Sequence, residues 1–335
     1  MTAREVWARI RTLVGLSILA VLLWRLGTGA FLDGLRRIDA PTLLAALAIG
    51  LLTTVFSAWR WCLVARGLSL RLPLGRAVAD YYRSLFLNAA LPGGVLGDVH
   101  RAVRHGQNSG DLGRGVRAVV LERAAGQVAL LAVGAAVLLA LPSPALADAR
   151  HLATTPGAAL ALAVVCGLVI AAAVLLRREP GTSRWRRSVR ATLAEARLGL
   201  LARGSWPGVL ISSVAVLAGH LGMFLLAARV AGSTAPAAEL APLMVLALLA
   251  MALPLNVGGW GPREGATAWA FGAAGLGAAQ GLTVAVVYGV LTLVASLPGV
   301  GVVLGGWFAG LRPRRPQLEF EQRVLAESGA SHRWT

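Results

Sequence analysis

Charged side chains stand inside or beside the most apolar parts of this chain, and they are the residues that could do chemistry. The stretch LNAALPGGVLGDVHRAVR, residues 87–104, interrupts its apolar run with Asn88 and a Pro-Gly-Gly turn, and Asp98 and Arg101 follow at once. A charged side chain at the centre of a membrane helix costs roughly 2.5–3.5 kcal/mol. These groups are therefore expected to pair with one another or to face water.

A second stretch, ALPLNVGGWGPREGATAWAFGAAG, residues 252–275, repeats this chemistry. It contains Asn256, a Gly-Gly pair and then Arg263 beside Glu264, and a Glu122-Arg123 pair lies between the two stretches. The proline before Arg263 suits the first turn of a helix, where free N–H groups favour an anion. The arginine adds a planar set of donors suited to a phosphate, and the glutamate is expected to orient it.

Two roles fit these residues, and the sequence leaves both open. They either line a polar cavity that accepts a lipid head group, or form internal salt bridges, such as Asp98 with Arg101 or Arg123, that lock the broken segments. The candidate substrate-binding residues are Asn88, Asp98, Arg101, Glu122, Arg123, Asn256, Arg263 and Glu264. The candidate hairpin residues, whose glycines permit close backbone approach, are Pro92, Gly93, Gly94, Gly97, Pro254, Gly258, Gly259 and Gly261. The two asparagines are expected to satisfy backbone groups that the breaks leave free.

No pattern in the chain favours catalysis, a metal or a cofactor. His100 and His105 are five residues apart, which is a poor spacing for a ligand pair, and Cys62 and Cys166 have no partner at metal-ligand spacing. His220 lies inside an apolar run, where a hydrogen-bonded core residue is expected and a proton-coupled role is left open. The stretch GGVLG lacks the Lys-Ser/Thr of a phosphate-binding loop.

Composition indicates an integral membrane protein. Of 335 residues, 57% are hydrophobic and 14% charged, and several apolar runs exceed the length of a membrane span. The formal net charge is +17, and all 32 basic residues are arginine. These arginines lie mainly between apolar runs, a pattern that indicates membrane orientation and attraction to anionic lipid rather than nucleic-acid binding.

The apolar runs predict an all-α polytopic bundle. Proline and glycine mark several of their edges, as expected of helix ends. The predicted spans are 12–31, 41–65, 118–141, 157–176, 207–230, 240–256 and 281–309.

Arginine asymmetry predicts the topology. The 66–83 and 177–206 segments, taken as loops, carry four and eight arginines, whereas 142–156 carries one and 231–239 carries none. The positive-inside rule therefore places both arginine-rich segments and the N-terminus in the cytoplasm, in a bacterial-type plasma membrane. Arg25 and Arg60, near predicted span ends, are expected to extend towards the interface.

This topology makes both broken stretches re-entrant. Residues 84–117 would have to enter and return on one side of the membrane, and 240–275 would do so from the other side. Broken backbone at membrane depth is tolerated only where protein or a wet cavity surrounds it. Two hairpins entering from opposite faces would form an inverted repeat around a midplane site.

The quoted motifs also resemble a known family, the lysylphosphatidylglycerol synthase transmembrane region, or flippase-like domain. The resemblance rests on LFLNAALPGGVLGDVHRAVR (85–104), VVLERAAG (119–126) and ALPLNVGGWGPREGA (252–266), which occur in the family's order. Pro262 departs from the small or apolar residue that is commoner there. The chain is identified as a stand-alone member, with a membrane domain over 1–311 and a short polar cytoplasmic tail over 312–335, without the aminoacyl-transferase domain of larger members.

The resemblance implies lipid handling. The interpretation we favour is the translocation of a polar or phosphate-bearing lipid between leaflets, with anionic or phosphate-bearing membrane lipids as partners. An integral-membrane transferase acting on a lipid head group or lipid-linked sugar is the alternative, with Asp98, Glu122 or Glu264 as general base. An accessory scaffold is a further one. A homo-oligomer or a membrane partner is left open.

The topology can be tested by cysteine labelling. In a background in which Cys62 and Cys166 are replaced by alanine, Ala90→Cys, Arg186→Cys and Asp148→Cys would be exposed to an impermeant thiol reagent outside intact cells. We expect ready labelling at 148 alone, because only that segment is predicted to be extracellular. Ready labelling at 186 from outside would reverse the orientation.

Overall fold

The computed structural model describes residues 36–90, 95–141, 204–252 and 260–311, together with positions 32, 144, 147, 200 and 202. These ranges contain nine helices: α1 (Ala40–Gly67), α2 (Leu74–Ala90), α3 (Leu96–Ser109), α4 (Leu112–Ala140), α5 (Trp206–Val230), α6 (Ala237–Met251), α7 (Pro262–Ala273), α8 (Ala278–Ser296) and α9 (Pro298–Leu311). The predicted spans 12–31 and 157–176 and the tail at 312–335 lie outside the described residues. The all-α prediction is confirmed.

Four predicted spans correspond to helices long and apolar enough to cross a membrane. These are Ala40–Gly67, Leu112–Ala140, Trp206–Val230 and Ala278–Phe308, the last formed by α8 and most of α9. The predicted span 240–256 corresponds to α6, which ends at Met251 after 15 residues and is shorter than these four. A crossing helix needs about 20 residues.

Helix α2 corrects a second expectation. Residues 66–83 were expected to be a loop, yet α2 begins at Leu74 and carries Arg76 and Arg83. Ala77, Tyr81 and Ser84 recur at helical spacing on its buried face. Arginine content alone therefore hid an amphipathic helix, and only the stretch from 68 to 73 connects α1 to α2.

Local signals explain how the first half starts its helices. The Asp39 carboxylate accepts a hydrogen bond from the Thr42 N–H at 2.9 Å and caps α1, whose first turn also contains Pro41. Asp111 caps α4 in the same way through the Arg114 N–H at 2.9 Å. Because only residues 110 and 111 separate α3 from α4, these two helices must lie against each other.

Each broken stretch joins two short helices that pack together. α2 packs on α3 in the first half, and α6 packs on α7 in the second. At the first contact a Cβ atom on Gly97 would lie 2.1 Å from the Ser84 carbonyl oxygen, so only glycine permits this approach. The structure thus contains two helical hairpins, while their re-entry from opposite membrane faces stays a prediction.

The order of elements occurs twice: a long apolar helix, a hairpin and a second long apolar helix. Pairing α1–α4 with α5–α8 in sequence maps the principal packing contacts onto one another: α1·α4 corresponds to α5·α8, α1·α8 to α4·α5, and α2·α8 to α4·α6. The equivalent helices α1 and α5 run antiparallel, because Gly208 lies against Leu63 and Gly219 against Thr53. Equivalent helices that run in opposite directions are what an inverted repeat requires.

The glycine contact between α2 and α3 yields a stability prediction. Gly97→Ala should destabilise the protein by about 1–3 kcal/mol or more, because the added methyl group meets backbone that has no room to move. Gly75→Ala is the matched control, since a Cβ on that α2 glycine meets nothing within 4 Å. Thermal unfolding of purified protein in detergent measures both; equal midpoints would show that α2 and α3 are not packed through Gly97.

Candidate functional site

Glu122 on α4 is the centre of a buried ionic cluster. Its side chain is 0% exposed, and its Oε1 accepts hydrogen bonds from Arg60 Nη2 at 2.6 Å and Nε at 3.1 Å. The Tyr81 hydroxyl also donates to Oε1 at 3.1 Å, and Arg101 Nη2 donates to Oε2 at 3.0 Å. Glu122 therefore joins α1, α2 and α3 to α4.

Asp98, near the start of α3, continues the cluster. It accepts hydrogen bonds from Arg123 Nη2 at 2.6 and 2.7 Å and from Arg101 Nη2 at 3.2 Å. The Ser84 hydroxyl donates to the same carboxylate at 3.0 Å. Both salt bridges that the sequence offered for Asp98 are thus present, with Arg101 shared between Asp98 and Glu122.

Asn88 ties the end of α2 to the start of α3. Its Nδ2 donates to Asp98 Oδ2 at 3.1 Å, and its Oδ1 accepts from the Gly97 N–H at 2.8 Å. The second bond satisfies a backbone donor in the first turn of a helix, where no intrahelical partner exists. Asn88 therefore has the structural role that the broken segment required.

Arg101 is enclosed by aromatic rings. Its guanidinium carbon lies 4.6 Å from the centroid of the Trp61 ring and 4.2 Å from that of Tyr81. Such cation–π contacts stabilise a desolvated guanidinium. Arg101 is 1% exposed, so its described contacts make it a lock between α1, α2 and α3.

The second broken stretch builds a smaller cluster at the start of α7. The Glu264 carboxylate accepts from the Gly261 N–H at 2.6 Å and from Arg263 Nε at 2.9 Å, and Arg263 Nη2 is bonded to it as well. Gly261 precedes the helix at φ 112°, a conformation that favours glycine. The Arg263 guanidinium carbon lies 5.1 Å from the Trp260 ring centroid and 5.2 Å from that of Tyr288.

A cavity of about 440 Å³ lies between the two clusters. Helices of both halves line it, and among its described lining residues are Arg60, Arg123, Arg263 and His220 but no aspartate or glutamate. The carboxylates that pair with these arginines are not among the lining residues. The cavity therefore presents positive charge to whatever enters it.

Arg123 is the most accessible of these arginines. Its side chain is 43% exposed, against 5% for Arg60 and 2% for Arg263. Asp98 holds it through Nη2 alone among the described hydrogen bonds, which leaves the Nε and Nη1 donors for another partner. Tyr81 lies beside it, 5.9 Å from ring centroid to guanidinium carbon.

His220 links α5 to α8 in the cavity wall. Its Nδ1 lies 3.1 Å from the Tyr288 hydroxyl, and the Tyr288 ring in turn contacts Arg263. The sequence expectation of a hydrogen-bonded histidine inside the bundle is confirmed. Both residues line the cavity.

Sequence reasoning missed several members of the site. Arg60 was expected near the membrane interface, but it is 4% exposed and bonded to Glu122 and to the Ser213 hydroxyl at 3.1 Å. Tyr81 and Ser84 were also missed, although a signal exists in the sequence, since their spacing puts them on the same face of α2 as the predicted Asn88. No local sequence pattern predicts that Arg60 pairs with Glu122, which lies on α4 and 62 positions later.

Seven of the predicted residues lie outside the described part of the chain: Pro92, Gly93, Gly94, Pro254, Asn256, Gly258 and Gly259. The structure brings Asn88, Asp98, Arg101, Glu122 and Arg123 into one cluster. Arg263 and Glu264 form the other. Within the described ranges, no three His, Cys, Asp or Glu side chains come together as a metal site.

A helical bundle with several crossing helices and charges paired in its interior defines an integral membrane protein. Comparison with protein families agrees. The chain belongs to the lysylphosphatidylglycerol synthase TM region family, whose model matches residues 10–299. No curated protein and no solved structure shows significant similarity to it.

The central position of Glu122 can be tested by an isosteric change. Glu122→Gln should lower the free energy of unfolding by about 3–5 kcal/mol, because two buried guanidiniums lose their shared counter-charge. Glu239→Gln is the matched control, since Glu239 lies in the exposed first turn of α6. Chemical or thermal unfolding in detergent gives both values, and similar stability of the two variants would mean that the cluster does not hold the bundle together.

Proposed function

We propose that this protein moves a phosphate-bearing polar lipid between the leaflets of the membrane through the central cavity. One observation carries the proposal: three arginines and a histidine line a cavity whose described lining has no carboxylate. A cavity of this kind inside a membrane protein favours an anion. The family is named for the membrane region of a lipid synthase, which supports a lipid head group as the anion that enters the cavity.

The charge balance of the cluster supports anion binding. Arg60, Arg101 and Arg123 carry three positive charges against the two negative charges of Asp98 and Glu122. One positive charge thus remains, close to the cavity wall. Carboxylates behind the arginines stabilise those cations in the bilayer without cancelling the attraction that an entering phosphate would feel.

Arg123 is the residue we assign to the first contact with the phosphate. Arg123 lines the cavity, and Asp98 fixes its orientation. A guanidinium held in this way keeps its Nε and Nη1 donors for phosphate oxygens. Arg263 is assigned to the same phosphate later in its passage, with Glu264 holding its planar group against Trp260.

The remaining lining fits a polar head group. Hydroxyl groups are numerous there, on Thr53, Thr54, Ser57, Tyr81, Ser213, Tyr288, Thr292 and Ser296. The volume of about 440 Å³ is in the usual range of small-molecule sites, about 300–1,000 Å³. A head group fits such a space while the acyl chains stay in the bilayer.

The repeated order of helices supports a transport mechanism. Both halves contribute lining residues, and α1 and α5 run in opposite directions across the bundle. In transporters with inverted repeats, movement of one half against the other exposes a fixed site to each side in turn. Alternating access at this cavity would carry a head group between leaflets.

The transferase alternative finds less support in the site. A general base must be within reach of a substrate proton. Glu122 and Glu264 are both 0% exposed and bonded to arginine, and Asp98 accepts hydrogen bonds from four side chains. Carboxylates engaged in this way serve as counter-charges.

The proposal predicts a transport defect on replacing Arg123. In liposomes that contain fluorescent phosphatidylglycerol, Arg123→Lys should slow leaflet exchange about tenfold or more, since a charge-assisted hydrogen bond contributes about 1.5–3 kcal/mol. Arg114→Lys, on the same helix but at the surface, is the control. Loss of fluorescence to an impermeant reductant gives the rate, and mass spectrometry of the recovered lipid reports any chemical change.

Arg263→Lys and Glu264→Gln extend the same experiment to the second cluster. We expect slower exchange from Arg263→Lys and a milder effect from Glu264→Gln, with thermal stability measured beside transport. Normal exchange in Arg123→Lys would exclude Arg123 as the phosphate contact. A new lipid product would replace the transport proposal with a transferase.

A further inference from the structure

A second basic group lies outside the cavity, on α2 and α3. The Asp80 carboxylate is 7% exposed and pairs with Arg83 (Nη1 to Oδ1, 3.1 Å), Arg104 (Nε to Oδ1, 3.6 Å) and Arg76 (Nε to Oδ2, 3.9 Å). One carboxylate thus faces three guanidiniums, and two formal positive charges remain. None of these four residues lines the central cavity.

Two of the arginines are accessible. The side chains of Arg76 and Arg104 are 47% and 41% exposed, whereas that of Arg83 is largely buried. The ring of His100 lies close enough to Arg83 and Arg104 to feel their charges. Asp80 therefore holds the three arginines close together, and Arg76 and Arg104 present hydrogen-bond donors at the surface.

Apolar side chains border this basic group on two sides. Helix α9 packs on α2, where Arg83 Nη2 donates to the Val302 carbonyl oxygen at 3.4 Å. Further along α9, Leu304, Trp307 and Phe308 are exposed. On the other flank of α2, helix α3 exposes Val99 and Val103 next to Arg104.

We infer that this surface, formed by Asp80, its three arginines and the exposed apolar side chains of α3 and α9, binds an anionic phospholipid from the surrounding leaflet. The head-group phosphate lies against Arg76 and Arg104, and the acyl chains lie along α9. Basic groups between membrane helices at the interface attract anionic head groups in this way. The site is separate from the transport cavity and does not depend on the proposed function.

The mixture of groups selects a phospholipid over a soluble anion. A free phosphate would use the arginines and leave Leu304, Trp307 and Phe308 without a role. Aromatic residues near a membrane interface favour contact with lipid at the head-group level. The remaining charge favours an anionic over a zwitterionic head group, because a zwitterionic one brings its own cation close to two uncompensated guanidiniums.

A local fluorescence experiment tests this site. Gly301, an exposed α9 residue whose Cβ would meet nothing within 4 Å, becomes cysteine and carries a bimane label, with Cys62 and Cys166 replaced by alanine. The labelled protein is placed in phosphatidylcholine nanodiscs containing brominated phosphatidylglycerol or, at equal mole fraction, brominated phosphatidylcholine. We expect the anionic lipid to quench the label at a several-fold lower mole fraction.

Charge variants assign that preference to residues. Arg76→Gln/Arg104→Gln removes the two outer charges, keeps the Arg83–Asp80 pair, and should abolish the preference, whereas Arg76→Lys/Arg104→Lys should retain much of it. Arg71→Gln/Arg114→Gln removes two other exposed charges and should leave it unchanged.

Equal quenching by both lipids, measured in the labelled protein that keeps all its arginines, would overturn the inference. So would a preference that survives Arg76→Gln/Arg104→Gln or that disappears in Arg71→Gln/Arg114→Gln, because the latter reports bulk charge. Leaflet exchange should stay normal in Arg76→Gln/Arg104→Gln, so this proposal and the transport proposal can fail separately.

Discussion

The described structure depends on placing paired charges where water is scarce. Glu122 satisfies Arg60 and Arg101 together, and Asp98 satisfies Arg101 and Arg123, so no arginine in the cluster lacks a counter-charge. An uncompensated buried charge costs several kcal/mol. Because the partners come from four helices, the electrostatic requirement also fixes how α1, α2, α3 and α4 pack, and this packing places Arg60 and Arg123 in one wall of the cavity.

The length of the apolar runs was sufficient to predict the four long apolar helices of the described ranges. The span predicted at 207–230 coincides with Trp206–Val230 almost to the residue, because proline marks its start and apolar residues fill it. The 66–83 segment misled because arginine counts report orientation and not secondary structure. The helical signal of α2 ran on past this segment, from Tyr81 to Ser84 and Asn88, and these polar residues do not contribute to an apolar run.

Ion pairs could be predicted from the sequence where the two partners are close along the chain, and not where they are distant. Arg263 and Glu264 are neighbours in sequence, and Asp98 and Arg101 are one helical turn apart. Arg60 pairs with a residue 62 positions later, and nothing local distinguishes it from an arginine at a membrane interface. Exposure separates enclosed Arg101 from accessible Arg123, and exposure is set only by folding.

That separation has a consequence for how the chain enters the membrane. Arg60 emerges from the ribosome well before Glu122, and at about 5–20 residues per second the interval is roughly 3–12 s. During that time the cation on α1 lacks the counter-charge that it has in the folded protein. This cost favours insertion of α1 together with α2, α3 and α4 over stable insertion of α1 by itself.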